Sequence, residues 1–158
     1  MNAIDLAYLA GVIDSDGSIT INIAREAARR NVKCSPTYQE VICCGQVQTE
    51  AVYLLQALFG GSISVTPPRA VGRKPLYGWD ARCKLAVIAI RALLPFLRIK
   101  RRQAEIVLQL RAIKDRGRTA NSELIDGHRY LTAATLSEME ALTREVRSLN
   151  DTRYPIKG

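Results

Sequence analysis

The sequence predicts an α+β domain in which helices cover one face of a four-stranded antiparallel sheet. Three observations predict it. Two pairs of segments alternate apolar and polar residues with the period of a strand. Each pair is followed by an apolar stripe with the period of a helix, and one helix precedes the first pair. Further helical stripes follow the second pair. The chain has 158 residues, 47% of them hydrophobic, which fits one globular domain spanning 1–158, with a core over about 4–149 and a short tail.

The leading helix spans 4–15, with Ile4, Leu6, Leu9, Val12 and Ile13 as its apolar positions. Gly17 opens a strand in which Ile19, Ile21 and Ile23 face one way and Ser18, Thr20, Asn22 and Ala24 the other. Residues 25–35 form a basic connection, and Pro36 bars them from a strand interior. The second strand covers 37–48, with Tyr38, Glu40, Gln46 and Gln48 assigned to its polar side and Val41, Cys43 and Val47 to its apolar side. A helix over 49–59 stops at Gly60-Gly61. The third strand, 62–66, sets Ile63 and Val65 against Ser62, Ser64 and Thr66. A proline-bounded loop leads to the fourth, 76–83, where Tyr77, Trp79 and Ala81 share a face that we assign to the core. Helices follow over 84–94, 100–115 and 135–149, and residues 116–134 read as a polar surface connection.

The net charge is +8, a balance that points to a polyanionic partner, most often nucleic acid. The polar sheet face would show Thr20, Asn22, Tyr38, Gln46, Ser64, Thr66 and Arg82. Arg25, Arg29, Arg30 and Lys33 flank it on one hairpin, and Arg69, Arg73 and Lys74 on the other. These residue types read base edges and grip phosphates, and a two-stranded ribbon fits a major groove. The competing reading is an ordinary solvated face with charged turns. Cys34, Cys43, Cys44 and Cys83 form no CxxC pair, so zinc is not indicated, and reduced thiols imply a reducing, intracellular compartment. The start lacks a basic n-region, and Asp5 interrupts its apolar stretch, so secretion is not expected. The apolar run 85–97 contains Arg91 and Pro95 and is too short to span a membrane. His128 stands alone and is assigned no chemistry.

The most informative stretch is Leu9-Ala10-Gly11-Val12-Ile13-Asp14-Ser15-Asp16-Gly17. A glycine inside a helix costs about 0.5–1 kcal/mol relative to alanine. Carboxylates at a helix C-terminus meet the negative end of the dipole. Stability alone would choose neither. Ala10-Gly11 would let another backbone come close, and Asp14 and Asp16 put negative charge where a cation could sit.

This stretch resembles the signature of the LAGLIDADG homing endonucleases, with Val12 in place of Leu and Ser15 in place of Ala. The element order is similar to that family's αββαββα core with its saddle-shaped sheet. Residues 95–104 resemble the segment that brings the family's active-site lysine, and Leu149-Asn150-Asp151 resembles the end of its last core helix. The signature occurs once, which by resemblance implies a homodimer with Ala7, Ala10, Gly11 and Asp14 at the seam. The resemblance further implies a site-specific endonuclease making a staggered break in a long pseudo-palindromic duplex. Asp16 and the Ser15 carbonyl would bind Mg²⁺, for which Ca²⁺ or Mn²⁺ would substitute in binding. Lys100 would act as the active-site base or charge stabiliser, and Gln48 or Gln46 would orient water. The family's basic residue on the following helix is missing, since Glu50, Ala51 and Val52 stand there. No membrane or small-molecule substrate is implied, and the expected setting is a bacterial or phage cytoplasm or an organelle. An RNA maturase and a non-cleaving DNA-binding regulator are the alternatives on the same fold. Asp16 and Lys100 favour cleavage, because a carboxylate beside phosphates is repulsive without a metal.

Overall fold

The computed structural model describes residues 2–24, 35–68, 70–125 and 128–151. Helix α1 (Ala3–Asp16) starts at Asn2, whose side-chain oxygen accepts from the Ile4 amide at 2.9 Å. It runs directly into β1 (Gly17–Ala24). A Cβ at Gly17 would lie 2.7 Å from the Ile13 carbonyl oxygen, so only glycine allows so abrupt a helix-to-strand passage. Strand β2 (Thr37–Gln46) leads into α2 (Glu50–Phe59), which ends at Gly60 and Gly61 with φ of 72° and 95°. Strands β3 (Ser62–Thr66) and β4 (Leu76–Arg82) form the second hairpin, followed by α3 (Lys84–Leu93) and α4 (Arg101–Asp115). Cys83, expected to end β4, instead takes φ of 53° and turns the chain into α3.

The sheet is antiparallel, as expected, and its strand order is β1-β2-β4-β3. Its register fixes the faces. Ile19 pairs with Ile42, Ile42 with Ala81, and Cys44 with Trp79, and all of these are buried beneath the helices. The opposite face carries Ser18, Thr20 and Asn22 of β1, Gln39, Val41 and Cys43 of β2, Ser62, Ser64 and Thr66 of β3, and Asp80 and Arg82 of β4. Strand β2 therefore has the opposite phase to the one expected. Its centre, Val41-Ile42-Cys43-Cys44, is continuously apolar and sets no phase of its own. Pairing with β1 and β4, which alternate cleanly, decides it. Tyr38 is 3% exposed and Glu40 fully buried, both on the helix-covered side, and Gln46 shares that side. Tyr38 and Gln46 are thus removed from the polar face. Tyr77, Trp79 and Ala81 face the core as expected, and the Trp79 indole donates to the Gly60 carbonyl at 2.8 Å.

Residues 116–134 hold more structure than the sequence suggests. They contain a short helix α5 (Arg118–Asn121) and a hairpin of β5 (Ser122–Ile125) with β6 (His128–Leu131). Thr132 then caps α6 (Ala133–Asn150), accepting from the Thr135 amide. Among the described residues, no helix is long and apolar enough to cross a membrane.

Candidate active site and nucleic-acid face

Asp16 is the last residue of α1 and is exposed. Its Oδ2 accepts from Gln46 Nε2 at 2.6 Å and from Ser15 Oγ at 3.4 Å. The register explains the first contact, because Gln46 closes β2 on the side from which α1 arrives. Gln48 lies beyond β2 in the following turn and is exposed. Of the two glutamines left open by the sequence, Gln46 is the one that meets the carboxylate.

Asp14 has a separate task. Its Oδ2 accepts from the Arg98 amide and its Oδ1 from the Lys100 amide, each at 2.8 Å. Lys100 sits immediately before α4 and is partly buried. Its Nζ donates back to the Asp14 main-chain carbonyl at 2.5 Å. A lysine at a helix C-terminus satisfies an orphan carbonyl and suits the negative dipole end. The two segments are therefore latched at three points, holding the Lys100 ammonium two residues from Asp16 along α1. Asp14→Ala leaves both amides without a partner, and bonds to charged groups contribute about 1.5–3 kcal/mol each. We expect destabilisation of about 2 kcal/mol or more by denaturant melting. A midpoint equal to that of the unaltered protein would show that the latch is not formed.

Two seam residues are placed differently from expectation. Ala10 is fully buried in the chain's own core, and the Asp14 carboxylate is committed to residues 98 and 100. The free side of α1 instead shows Ile4, Ala7, Tyr8 and Gly11, a stripe at helical spacing. Among the described residues, a Cβ built at Gly11 meets nothing within 4 Å, so none of them requires glycine there.

On the polar face, Thr20, Asn22, Ser64, Thr66 and Arg82 lie where the sequence placed them. Arg73 and Lys74 are exposed in the loop after β3. Arg25, Arg29, Arg30, Lys33 and Arg69 lie outside the described residues. Asp80, which the sequence reading passed over, shares this face, and its Oδ2 accepts from Arg82 Nε at 3.0 Å. Its place two residues before Arg82 in an alternating strand is the signal that would have found it. Cys43 and Cys44 point to opposite sides of β2. Burial, with smaller contributions from Cys43 and Asp16, pushes the Cys44 thiol up to about 12, and burial also raises Cys43. Both stay protonated at neutral pH and are poor nucleophiles.

The structure resembles known proteins closely. It matches the homing endonuclease I-CvuI, solved with its target in the presence of calcium, at a TM-score of 0.64 and 23% identity, covering 95% of this chain and 86% of that one. It matches the archaeal intron-encoded homing endonuclease I-Vdi141I, complexed with DNA, at a TM-score of 0.67 and 15% identity, covering 96% and 87%. It also matches the LAGLIDADG homing endonuclease I-GzeII, in complex with a DNA target, at 0.62 and 14%, covering 87% of this chain and 43% of that one. Neither a protein-family model nor a curated protein sequence matches the chain. With a signature helix running into a four-stranded antiparallel sheet, the chain has the fold of the LAGLIDADG homing endonucleases.

Proposed function

We propose that this protein is a metal-dependent, site-specific DNA endonuclease that acts as a homodimer. The observation that carries the reading is the meeting of Asp16, Gln46 and the Lys100–Asp14 latch at the end of a helix whose outer side is apolar and free. I-CvuI and I-Vdi141I, similar in fold, were solved with DNA, and I-CvuI also with calcium or magnesium.

The donor chemistry fits a hard divalent ion. Asp16 offers an exposed carboxylate at the negative end of α1, and such ions take carboxylate and carbonyl oxygens. Among the described residues, no cluster of three or more His, Cys, Asp or Glu stands ready to hold a metal. A second copy across the α1 stripe would bring a second Asp16, and DNA phosphates would supply further oxygens. Asp16 and the Ser15 carbonyl would hold the ion, which when bound supplies Lewis-acid charge and a more acidic water. Gln46 fixes the Asp16 carboxylate by its amide, and Lys100 offers positive charge toward a developing phosphoryl oxyanion. A two-fold dimer places one such site per strand, which gives a staggered double-strand break in a pseudo-palindromic target.

The test is incubation with a plasmid library carrying random inserts, with and without Mg²⁺. Linearisation of a defined subset only with Mg²⁺ supports the reading, and binding to RNA with no cleavage of any plasmid overturns it. The seam has its own check. Gly11→Leu meets none of the described residues of its own chain, so we expect the variant to fold but to sediment as a monomer. In a monomer, removing a mid-helix glycine stabilises by about 0.5–1 kcal/mol. A Gly11→Leu protein that remains dimeric and active would refute this seam.

A further inference from the structure

Arg82 is the only Lys or Arg in the four strands of the main sheet. The acids in those strands are Glu40, buried on the helix side, and Asp80, beside Arg82 on the outer face. The outer face of the sheet thus carries one cation and one anion, and they are paired. Resting on the DNA-binding reading above, we propose that the Arg82–Asp80 pair reads a guanine at one position of each half-site.

The geometry of the pair supports this. Arg82 donates through Nε to Asp80 Oδ2 at 3.0 Å, and among the described residues it makes no other hydrogen bond. The guanidinium is a rigid planar fork, so a bond through Nε fixes its plane and leaves both terminal nitrogens free. Guanine alone presents two adjacent acceptors, N7 and O6, at the major-groove edge, whereas adenine pairs an acceptor with a donor. Two free parallel N–H groups match guanine and clash with adenine.

A phosphate is the competing target for any arginine, and Asp80 argues against it. A carboxylate 3.0 Å from the guanidinium repels a phosphate but tolerates an uncharged base edge. Position argues the same way. Strand β4 is an inner strand, and Arg82, its last residue, lies past the end of β3 but opposite Val41 of β2, on the sheet rather than in a rim loop. Rim cations such as Arg73 and Lys74 are better placed for the backbone. Arg82 is also 58% exposed, so it is accessible without displacement of neighbouring elements.

The experiment is selection of the full-length protein on a pool of duplexes randomised over the target, in Ca²⁺, followed by sequencing of the bound fraction. Arg82→Ala, Arg82→Lys and Asp80→Asn are compared with the unaltered chain. A bidentate arginine–guanine contact discriminates by about fivefold to 150-fold. We expect one guanine preference per half-site, lost in Arg82→Ala and reduced in Arg82→Lys, which keeps the charge but not the fork. Asp80→Asn should weaken the same preference severalfold while raising affinity for unrelated duplexes, because a negative charge leaves the face. A guanine profile unchanged by Arg82→Ala overturns the inference and leaves the DNA reading standing. A uniform loss of affinity in Arg82→Ala, with the salt slope reduced by about one, identifies a phosphate contact and overturns it as well. If the unaltered protein retains no duplex at all, the DNA reading itself fails, and this inference with it.

Discussion

Asp16→Asn is expected to remove DNA cleavage while leaving DNA binding nearly intact. The substitution keeps the size of the side chain and an oxygen that can still accept from Gln46, so the end of α1 retains its local contact. It removes the charge on which a hard cation depends. Metal assistance contributes several kcal/mol to hydrolysis, and each 1.36 kcal/mol is a factor of ten, so the rate should fall by about a thousand-fold or more. Binding should change in the other direction if at all, since a negative charge beside phosphates disappears. Stability should not decline either, because a carboxylate at a helix C-terminus is unfavourable by a few tenths of a kcal/mol or more. Cleavage assays in Mg²⁺, binding in Ca²⁺ and thermal melting separate these effects. Loss of binding in step with loss of cleavage, or cleavage at the unaltered rate, would remove Asp16 from the chemistry.

Much of this site is legible in the sequence because its parts are local. The helix, the two carboxylates and the glycine that follows occupy consecutive positions, and β1 and β4 alternate cleanly enough to fix their faces. What was hidden depends on pairing across the fold. The apolar centre of β2 gives no phase, and only the pairing of Ile42 with Ile19 and of Cys44 with Trp79 puts Tyr38 and Gln46 on the helix side. That same reversal brings Gln46 to Asp16. The separate tasks of the two carboxylates were only half visible. The bond from Asp14 to residues 98 and 100 spans more than eighty positions, and no spacing rule reports it. Ala10 and Gly11 look alike as small residues, yet one helical step of about 100° puts Ala10 in the core and Gly11 outside. The hairpin β5–β6 escaped because its strands are short and leave Leu124 and Ile125 exposed, so burial imposes no alternation on them.

The β2 reversal also creates the largest expected effect on stability. Glu40 is fully buried on the helix side of the sheet, where its Oε2 accepts from Lys114 Nζ at 2.7 Å. Lys114 comes from the last turn of α4 and also donates to the Tyr38 carbonyl at 3.0 Å. Arg111 lies 4.0 Å from the other carboxylate oxygen, which has no hydrogen-bond partner among the described residues. Removing one partner of a buried pair costs about 3–5 kcal/mol, because the remaining charge is left without compensation. Lys114 is about a quarter exposed, and Arg111 can move closer, so Lys114→Ala should cost about 3 kcal/mol, the low end of that range. That is a large share of the ~5–15 kcal/mol by which a domain of this kind is stable. Replacing both members with leucine should recover much of the loss, since a well-packed apolar pair often equals a buried ion pair. Denaturant unfolding of Glu40→Leu, Lys114→Leu and the double variant gives the coupling directly. Additive losses would mean that Glu40 and Lys114 do not depend on one another. The tie matters for the site because β2 ends at Gln46 and α4 begins just after Lys100. Glu40–Lys114 joins these two elements at the ends remote from the chemistry, and the Asp14 latch and the Gln46–Asp16 bond join each of them to α1. Lys114→Ala should therefore slow cleavage well below the melting temperature, and recovery of that rate in the double variant would show that the attachment itself, rather than the charge, positions Gln46 and Lys100.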